Sequence, residues 1–278
     1  MNTQPVAGDL MQVARGQDER RSALSRFLRD RRVPLTAVAS ILTGFLLWEL
    51  VARFIVRDKL FLVAPSAIAV RFGQLWATGD LQTHIIASGY EFFLGMGIAA
   101  IVGIAAGLIL ATNAPLRAAF TPWVTAIYST PTVALAPLLI LWFGLGLVSH
   151  TIVVFLVAVF PVLVNTQTGI ENADEHLTET ARAFGASRQQ IFTKILLPGA
   201  VPYIIAGLRL GIGRAVVGVV VAELFGAKAG LGFLITVSSQ TFDMGGLFVA
   251  VLILAAAGVF SAEGIKLLER RIAPWRWA

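Results

Sequence analysis

Cysteine is absent from this 278-residue sequence, which excludes disulfides, thiolate metal sites and cysteine nucleophiles. Charge is scarce as well: 14% of residues are charged against 57% hydrophobic, and mean hydropathy is +0.79. A soluble core of this size cannot hide so much apolar surface, so the chain belongs in a bilayer. Outer-membrane strands would alternate apolar and polar residues over about ten positions, and no such alternation is present. Three scattered histidines without H-E-x-x-H spacing or a serine–base pairing argue against an intramembrane enzyme built on Glu91, His84 or His150. The phosphate-binding loop G-x-x-x-x-G-K-[ST] is missing too, so any nucleotide is handled by another chain.

What is there is apolar length. An apolar helix needs about 20 residues to cross the hydrocarbon, and six candidates supply them: Leu35–Val56, Ile85–Ala111, Ala118–Leu147, Thr151–Gly169, Ala200–Leu224 and Leu247–Leu268. The reading is an all-α integral membrane protein with six transmembrane helices and both termini on one side. Basic loops stay cytoplasmic. Arg15, Arg20, Arg21, Arg26, Arg29, Arg31 and Arg32 precede the first span, and Arg117, Arg182, Arg188, Lys194, Lys266, Arg270, Arg271 and Arg276 fall on the same side. Arg57, Lys59, Arg71 and Lys228 are the minority opposite. Both termini are therefore expected in the cytoplasm. This distribution, without a nucleic-acid motif or interleaved aromatics, explains the net charge of +6 as topology, with no nucleic-acid partner.

The expected organisation is a basic cytoplasmic tail at 1–34, a first span at 35–60, a core at 61–268 and a cytoplasmic tail at 269–278. The first tail is too polar for a cleavable signal and carries a candidate basic interfacial helix at Ser22–Arg32. Glu49 and Arg53 have the i, i+4 spacing of a helix pair. Ser66–Trp76 has the apolar spacing of a short surface helix. Gly95, Ala99, Gly103 and Gly107 make one smooth face that permits close approach of another helix. The third span carries Pro122, Pro131 and Pro137, with Ser129, Thr130 and Thr132 around the middle proline. Carbonyls freed by proline are tolerated at depth beside protein or a water-filled cavity, so this span is a candidate for the pathway lining. An outer turn is expected from Gly144 to Ser149, leaving His150 as a water-facing loop residue.

The one long polar interruption reads Glu179-Thr180-Ala181-x-x-x-Gly185, nine residues, then Ile195-Leu196-Leu197-Pro198. Acidic residues come first (Glu171, Asp174, Glu175, Glu179) and basic ones later, an order that suits a helix dipole. Gly185 is placed to end the first helix and Ser187 to cap the next. The spacing matches the E-A-A-x-x-x-G…I-x-L-P signature of the membrane subunits of bacterial ATP-binding-cassette importers, with Thr180 for alanine the only departure. The stretches 136–144 (APLLILWFG), 185–188 (GASR), 207–210 (GLRL), 221–227 (VAELFGA) and 230–232 (GLG) extend the likeness. From about Phe61 to Leu268 the chain resembles the permeases of the nitrate, sulfonate and taurine group.

That resemblance implies a type I importer permease fold and a homodimer in the bacterial inner membrane. It further implies two ATP-binding-cassette ATPase subunits that bind ATP and Mg, and a periplasmic or lipid-anchored solute-binding protein; no cofactor is expected on this chain. Glu179, Thr180, Ala181, Phe184, Gly185, Ala186 and Ser187 would form the coupling segment. The substrates it suggests are sulfonates, taurine, nitrate or bicarbonate, while similar permeases handle neutral or aromatic solutes such as vitamin precursors.

Glu91 falls inside the second span and Arg209 and Arg214 inside the fifth, where each costs a few kcal/mol unless it faces protein or a cavity. The arginines suit either solute contact or pairing with Glu91, Glu223 or a partner chain. Gly207, Gly211 and Ala215 form a small face beside them, suited to a dimer seam or an anion path. Glu223, near the outer end, could pair with Lys228 or help close an outer gate. The translocation-path candidates are thus Ser129, Thr130, Pro131, Thr132, Arg209, Arg214 and Glu223. An ion-coupled secondary carrier using Glu91, Arg209 and Arg214 is the alternative from a different class.

Overall fold

A computed structural model describes residues 36–56, 58 and 60–272. The basic tail at 1–34 with its expected helix at Ser22–Arg32, and the chain beyond residue 272, lie outside them. The chain divides into two units, residues 1–66 and 67–278.

The first unit holds α1 (Thr36–Val56), whose last turn, Val51–Val56, is π-helical. The expected pair forms: Arg53 Nε donates to Glu49 Oε1, and the same carboxylate accepts from the Ser66 hydroxyl at 2.8 Å and the Ser66 N–H at 3.0 Å. Next comes α2 (Pro65–Thr78), the short helix read from the apolar spacing of Ser66–Trp76.

The core of the second unit is α6 (Leu147–Glu171), held between α3 (Asp80–Thr112) and α9 (Leu197–Gly226). Both neighbours approach through small residues. A β-carbon on Gly95 would fall 2.5 Å from Val154 Cβ, one on Gly103 would fall 2.9 Å from Val162 Cβ, and one on Gly107 would fall 2.7 Å from the Leu163 carbonyl. From the other side, Gly207 meets Asn165 and Pro161, Gly211 meets Val162, and Gly218 meets Val157. Ala99, Ala158, Ala215 and Ala222 are fully buried in the same seams. Without a hydrophobic drive between helices in lipid, such dispersion-rich close contact is what holds them together. The small face of α9 is therefore filled by α6 of the same chain, which corrects its expected use as a dimer seam or anion path.

The third expected span is not one helix. It breaks into α4 (Ala114–Ser129), a 3₁₀ turn (Thr132–Leu135) and α5 (Ala136–Phe143), bent by 80°. Pro131 removes a backbone donor and forces Thr130 before it into an extended conformation (φ −75°, ψ 138°). Pro137 then sits in the first turn of α5, where its missing N–H breaks no helical bond. Glycines at positive φ, Gly144 and Gly146, make the following turn. Because α6 starts at Leu147, His150 lies in a helix, and it is 2% exposed. The loop placement expected for it is thereby corrected.

Past α6 come α7 (Glu175–Ala183) and α8 (Arg188–Ile191), the latter running through a π-helical stretch, Phe192–Leu196, into α9. At the opposite end α10 (Leu231–Gln240) is too short to cross a bilayer, and α11 (Met244–Ile272) makes the last crossing. Among the described residues five helices are long and apolar enough to span, or six when the bent pair counts as one, and there is no strand.

Phe242 ends α10 in the left-handed region (φ 57°), and Asp243 then caps α11 by accepting from Gly246 N–H at 3.0 Å. Arg71 of α2 donates to the same carboxylate from Nη2 at 2.6 Å and from Nε at 2.9 Å. Burial pushes the Asp243 carboxyl up, but the Gly246 N–H and the Arg71 guanidinium outweigh it and hold it below the ordinary carboxylate value.

Two outcomes test this packing. Gly95→Leu is expected to cost roughly 1–3 kcal/mol by overpacking the α3–α6 seam. Gly97→Ala, which points into open space, is expected to leave stability unchanged or raise it by up to about 1 kcal/mol; thermal melts in detergent compare them. The Asp243 tie contributes stability above the carboxyl's unfolded value and loses it as pH falls through the lowered folded value. Arg71→Gln should therefore lower the melting temperature at neutral and alkaline pH, with the difference from the wild type shrinking as pH falls through the lowered Asp243 value.

Candidate functional site

The α7–α8 segment is built by three local devices. Asp174 caps α7 by accepting from Leu177 N–H at 3.1 Å. At its other end Gly185 takes φ +79°, with Gly185 N–H donating to the Arg182 carbonyl and Ala186 N–H to the Ala181 carbonyl, both at 2.9 Å. This is the paired closure that a left-handed residue after a helix makes possible, and glycine adopts it without strain. Ser187 and Gln190 then form a reciprocal capping box on α8. Both sequence assignments here, Gly185 as terminator and Ser187 as cap, match the structure.

The segment stands clear of the bundle. Glu179, Thr180, Gly185 and Ser187 are exposed, Ala181 and Ala186 half-buried, and Phe184 is 87% exposed. Leu177 is exposed as well, so α7 offers two large apolar side chains at water-side positions. Beneath them Ala181, Phe184, Gly185, Gln190 and Lys194 line a depression of about 330 Å³.

The break between α4 and α5 forms a second feature. Ser129, Thr130 and Pro131 are exposed and Thr132 half-buried, and α4 buries none of its residues within the chain. Arg214 of α9 reaches this break: its guanidinium carbon lies 5.8 Å from the centre of the Tyr128 ring, a cation–π contact. Leu210, Gly213, Arg214 and Val217 form one exposed stripe on α9 at helical spacing. A cation on such a stripe cannot rest against lipid tails without a cost of a few kcal/mol.

The two arginines part company. Arg209 lies nearer the α7–α8 end, where its Nη2 donates to Glu269 of α11 at 3.2 Å. It lines a cavity of about 710 Å³ with Tyr203, Ala206, Lys266 and Glu269. Neither Glu91 nor Glu223 pairs with an arginine, contrary to one expected arrangement. Both sit at the opposite end, in a buried network that sequence reading did not assemble. His150 Nδ1 of α6 lies 2.7 Å from Glu91 Oε1 of α3. Glu223 Oε1 accepts from the Ser88 hydroxyl at 2.6 Å, and its Oε2 accepts from Gly232 N–H. Ser88 Oγ in turn accepts from Leu231 N–H at 2.7 Å. The first N–H groups of α10 are thus satisfied by side chains of α3 and α9 in place of an ordinary cap. Gly230 (φ +129°) lies directly on the Glu223 carboxyl, where any β-carbon would collide. This contact joins the 221–227 and 230–232 stretches in space. Lys228, once a candidate partner of Glu223, forms no ion pair with it.

A bundle with close-packed small-residue seams, a proline-broken polar span and a capped, exposed helix pair between crossings defines a multi-pass membrane permease. The chain belongs to the family described as binding-protein-dependent transport system inner membrane component, whose sequence profile matches residues 99–274. It is the permease subunit of an ATP-binding-cassette importer and, like its relatives, a transport component and not an enzyme. It is 35% identical over 234 residues, 83% of each chain, to a Bacillus subtilis (strain 168) protein named as the aliphatic sulfonates transport permease SsuC. It is 32% identical over 230 residues to the formylaminopyrimidine transport permease protein ThiX of Halalkalibacterium halodurans, covering 83% of this chain and 91% of that one. In fold it is similar to a chain of the MetNI methionine ABC transporter in an inward-facing conformation, with a TM-score of 0.59 at 19% identity, covering 69% of this chain and 95% of that chain. Family membership decides against the secondary-carrier alternative.

Proposed function

We propose that two copies of this chain form the translocation pathway for a small organic anion, a sulfonate or related acid, delivered by an external solute-binding protein. The observation that carries this reading is Arg214: a cation in the middle of an apolar crossing, exposed, and 5.8 Å from the ring of Tyr128, which leads into the polar break at Ser129, Thr130, Pro131 and Thr132. Placed across a path between two copies, it would meet an anion in a low-dielectric setting where the attraction is strong. The relative named for aliphatic sulfonates supports an anionic solute. Arg209 would line the inner part of the path, and Glu223 would belong to its outer closure.

The α7–α8 segment is the coupling element in this reading. Two ATPase subunits, carrying ATP and Mg, would each receive one copy of the segment. Phe184 and Leu177 would supply the apolar contact, and Glu179, Thr180, Ala181, Gly185, Ala186 and Ser187 the shape. The excess of Lys and Arg at this end supports a cytoplasmic location for it and for both termini, and hence residence in the bacterial inner membrane. A second solute class has its own support. The relative named for formylaminopyrimidine and the Tyr128 ring at the path both favour a flat heteroaromatic solute that stacks on tyrosine beneath the arginine.

Two variants separate these parts in vesicles reconstituted with the ATPase and binding protein. Gly185→Val puts a β-branched residue at φ +79°; it is expected to abolish uptake while the protein still inserts, and normal uptake would contradict the coupling role. Arg214→Gln is expected to cut uptake of an anion at least about tenfold, with the ATPase still assembled. Unchanged anion uptake together with loss of heteroaromatic uptake in Tyr128→Ala would favour the second class.

A further inference from the structure

The network at the α10 end contains one acceptor too many. Ser88, Glu91, His150 and Glu223 come from three helices and are at most 6% exposed. Glu223 is held by two donors, the Ser88 hydroxyl and Gly232 N–H. The Ser88 oxygen at the same time accepts from Leu231 N–H. Glu91 Oε1 is matched with His150 Nδ1. Glu91 Oε2, however, is buried without a donor, as is His150 Nε2. The Glu91 and Glu223 carboxyls adjoin each other, and among the described residues no Lys or Arg pairs with either.

Donor chemistry decides the protonation. A charged imidazolium would bury an Nε2–H with no acceptor, whereas the neutral Nδ1–H form leaves only a lone pair there and still donates to Glu91. With His150 neutral, two ionised carboxylates side by side inside an apolar bundle would repel each other with no cation to relieve them. One proton removes the conflict. Carried on Glu91 Oε2, it supplies a donor beside Glu223, whose anion the two other donors already stabilise.

We propose that Glu91 and Glu223 bind a single proton between them, and that this proton latches the Gly230–Leu231–Gly232 turn, and α10 with it, onto α3 and α9. This inference does not depend on which solute the permease carries. The groups facing the pair are His84 and Ser88 of α3, His150 of α6 and the backbone of α10, which brings no charged side chain; Lys228 on the connecting turn is exposed. His84 accepts from Gly230 N–H at Nδ1, at 3.0 Å, so it is unprotonated there, and acid would release this outer tie separately. On the alkaline side, loss of the shared proton leaves two anions in contact and frees the turn.

The chain's lack of cysteine makes the test direct. Leu234, buried on α10, is replaced by a lone cysteine, and its maleimide labelling in lipid nanodiscs is followed against pH, relative to the denatured protein. In this background labelling should be slow at neutral pH and rise as the medium becomes alkaline. Adding Glu91→Gln should abolish the alkaline rise, because the amide N–H replaces the proton and cannot be lost while the amide oxygen still accepts from His150. Adding Glu223→Gln should expose Leu234→Cys already at neutral pH, since an amide NH₂ would face the donors that now hold the carboxylate. Infrared spectra should show a protonated carboxyl band that disappears in Glu91→Gln. An alkaline rise that persists in Glu91→Gln, or a protonated carboxyl band that survives there, would overturn the proposal. The Glu91→Gln profile decides the matter even if Glu223→Gln fails to fold, and a monodisperse size-exclusion peak establishes that the former has folded.

Discussion

Everything this molecule positions depends on how closely α3 and α9 approach α6. The glycines and alanines along both seams bring backbones to within a side chain's thickness, where dispersion replaces the hydrophobic drive that lipid cannot supply. Contacts so short fix axial register, since a slip of one residue would press a larger side chain of α3 or α9 onto the valines and backbone carbonyls of α6. Register then decides what stands where. Glu91, His150 and Glu223 are brought to one end of the bundle from three separate helices. The stripe that carries Arg214 is left on the face of α9 turned away from α6.

The outward surfaces are the complement of that core. Gly207, Gly211, Ala215 and Gly218 of α9 are consumed inside the chain, and α4 buries nothing. The polar break after Ser129 and the arginine beside it remain uncovered. In a bilayer a guanidinium and exposed hydroxyls require protein or a wet path around them. The proposed two-copy assembly satisfies this requirement and gives the exposed features one shared purpose. The α7–α8 pair at the other end is joined by a short, fully capped turn, and α8 runs into α9 as one continuous helix from Arg188, the connection through which the proposed coupling would act.

Much of this was legible in the sequence because it is local. Apolar length gave the crossings to within a few residues, four-residue spacing gave the Gly95–Gly107 face, and the Gly185–Ser187 turn follows from backbone rules. Long-range pairing was not legible. Glu91 was visible as a costly buried charge, yet the obvious partners were arginines, whereas the structure supplies His150 from a helix start that resembled a loop. The tie between Glu223 and the first N–H groups of α10 could not be read either. Its donors are backbone groups on a short helix that sequence did not mark, although a Gly-Leu-Gly turn seven residues after Glu223 was the available signal. The 80° bend was foreshadowed by three prolines, but its size depends on two of them acting six residues apart.

The central claim, that the exposed stripe of α9 faces its counterpart across a path worked by a separate ATPase, can be measured directly. In this cysteine-free chain a spin label at Val217→Cys, in the complex with ATPase and binding protein, reports the distance between copies by pulsed electron resonance. The account predicts one well-defined separation that shifts when ATP is added and returns after hydrolysis. The absence of any intermolecular coupling, or a separation indifferent to ATP, would contradict it.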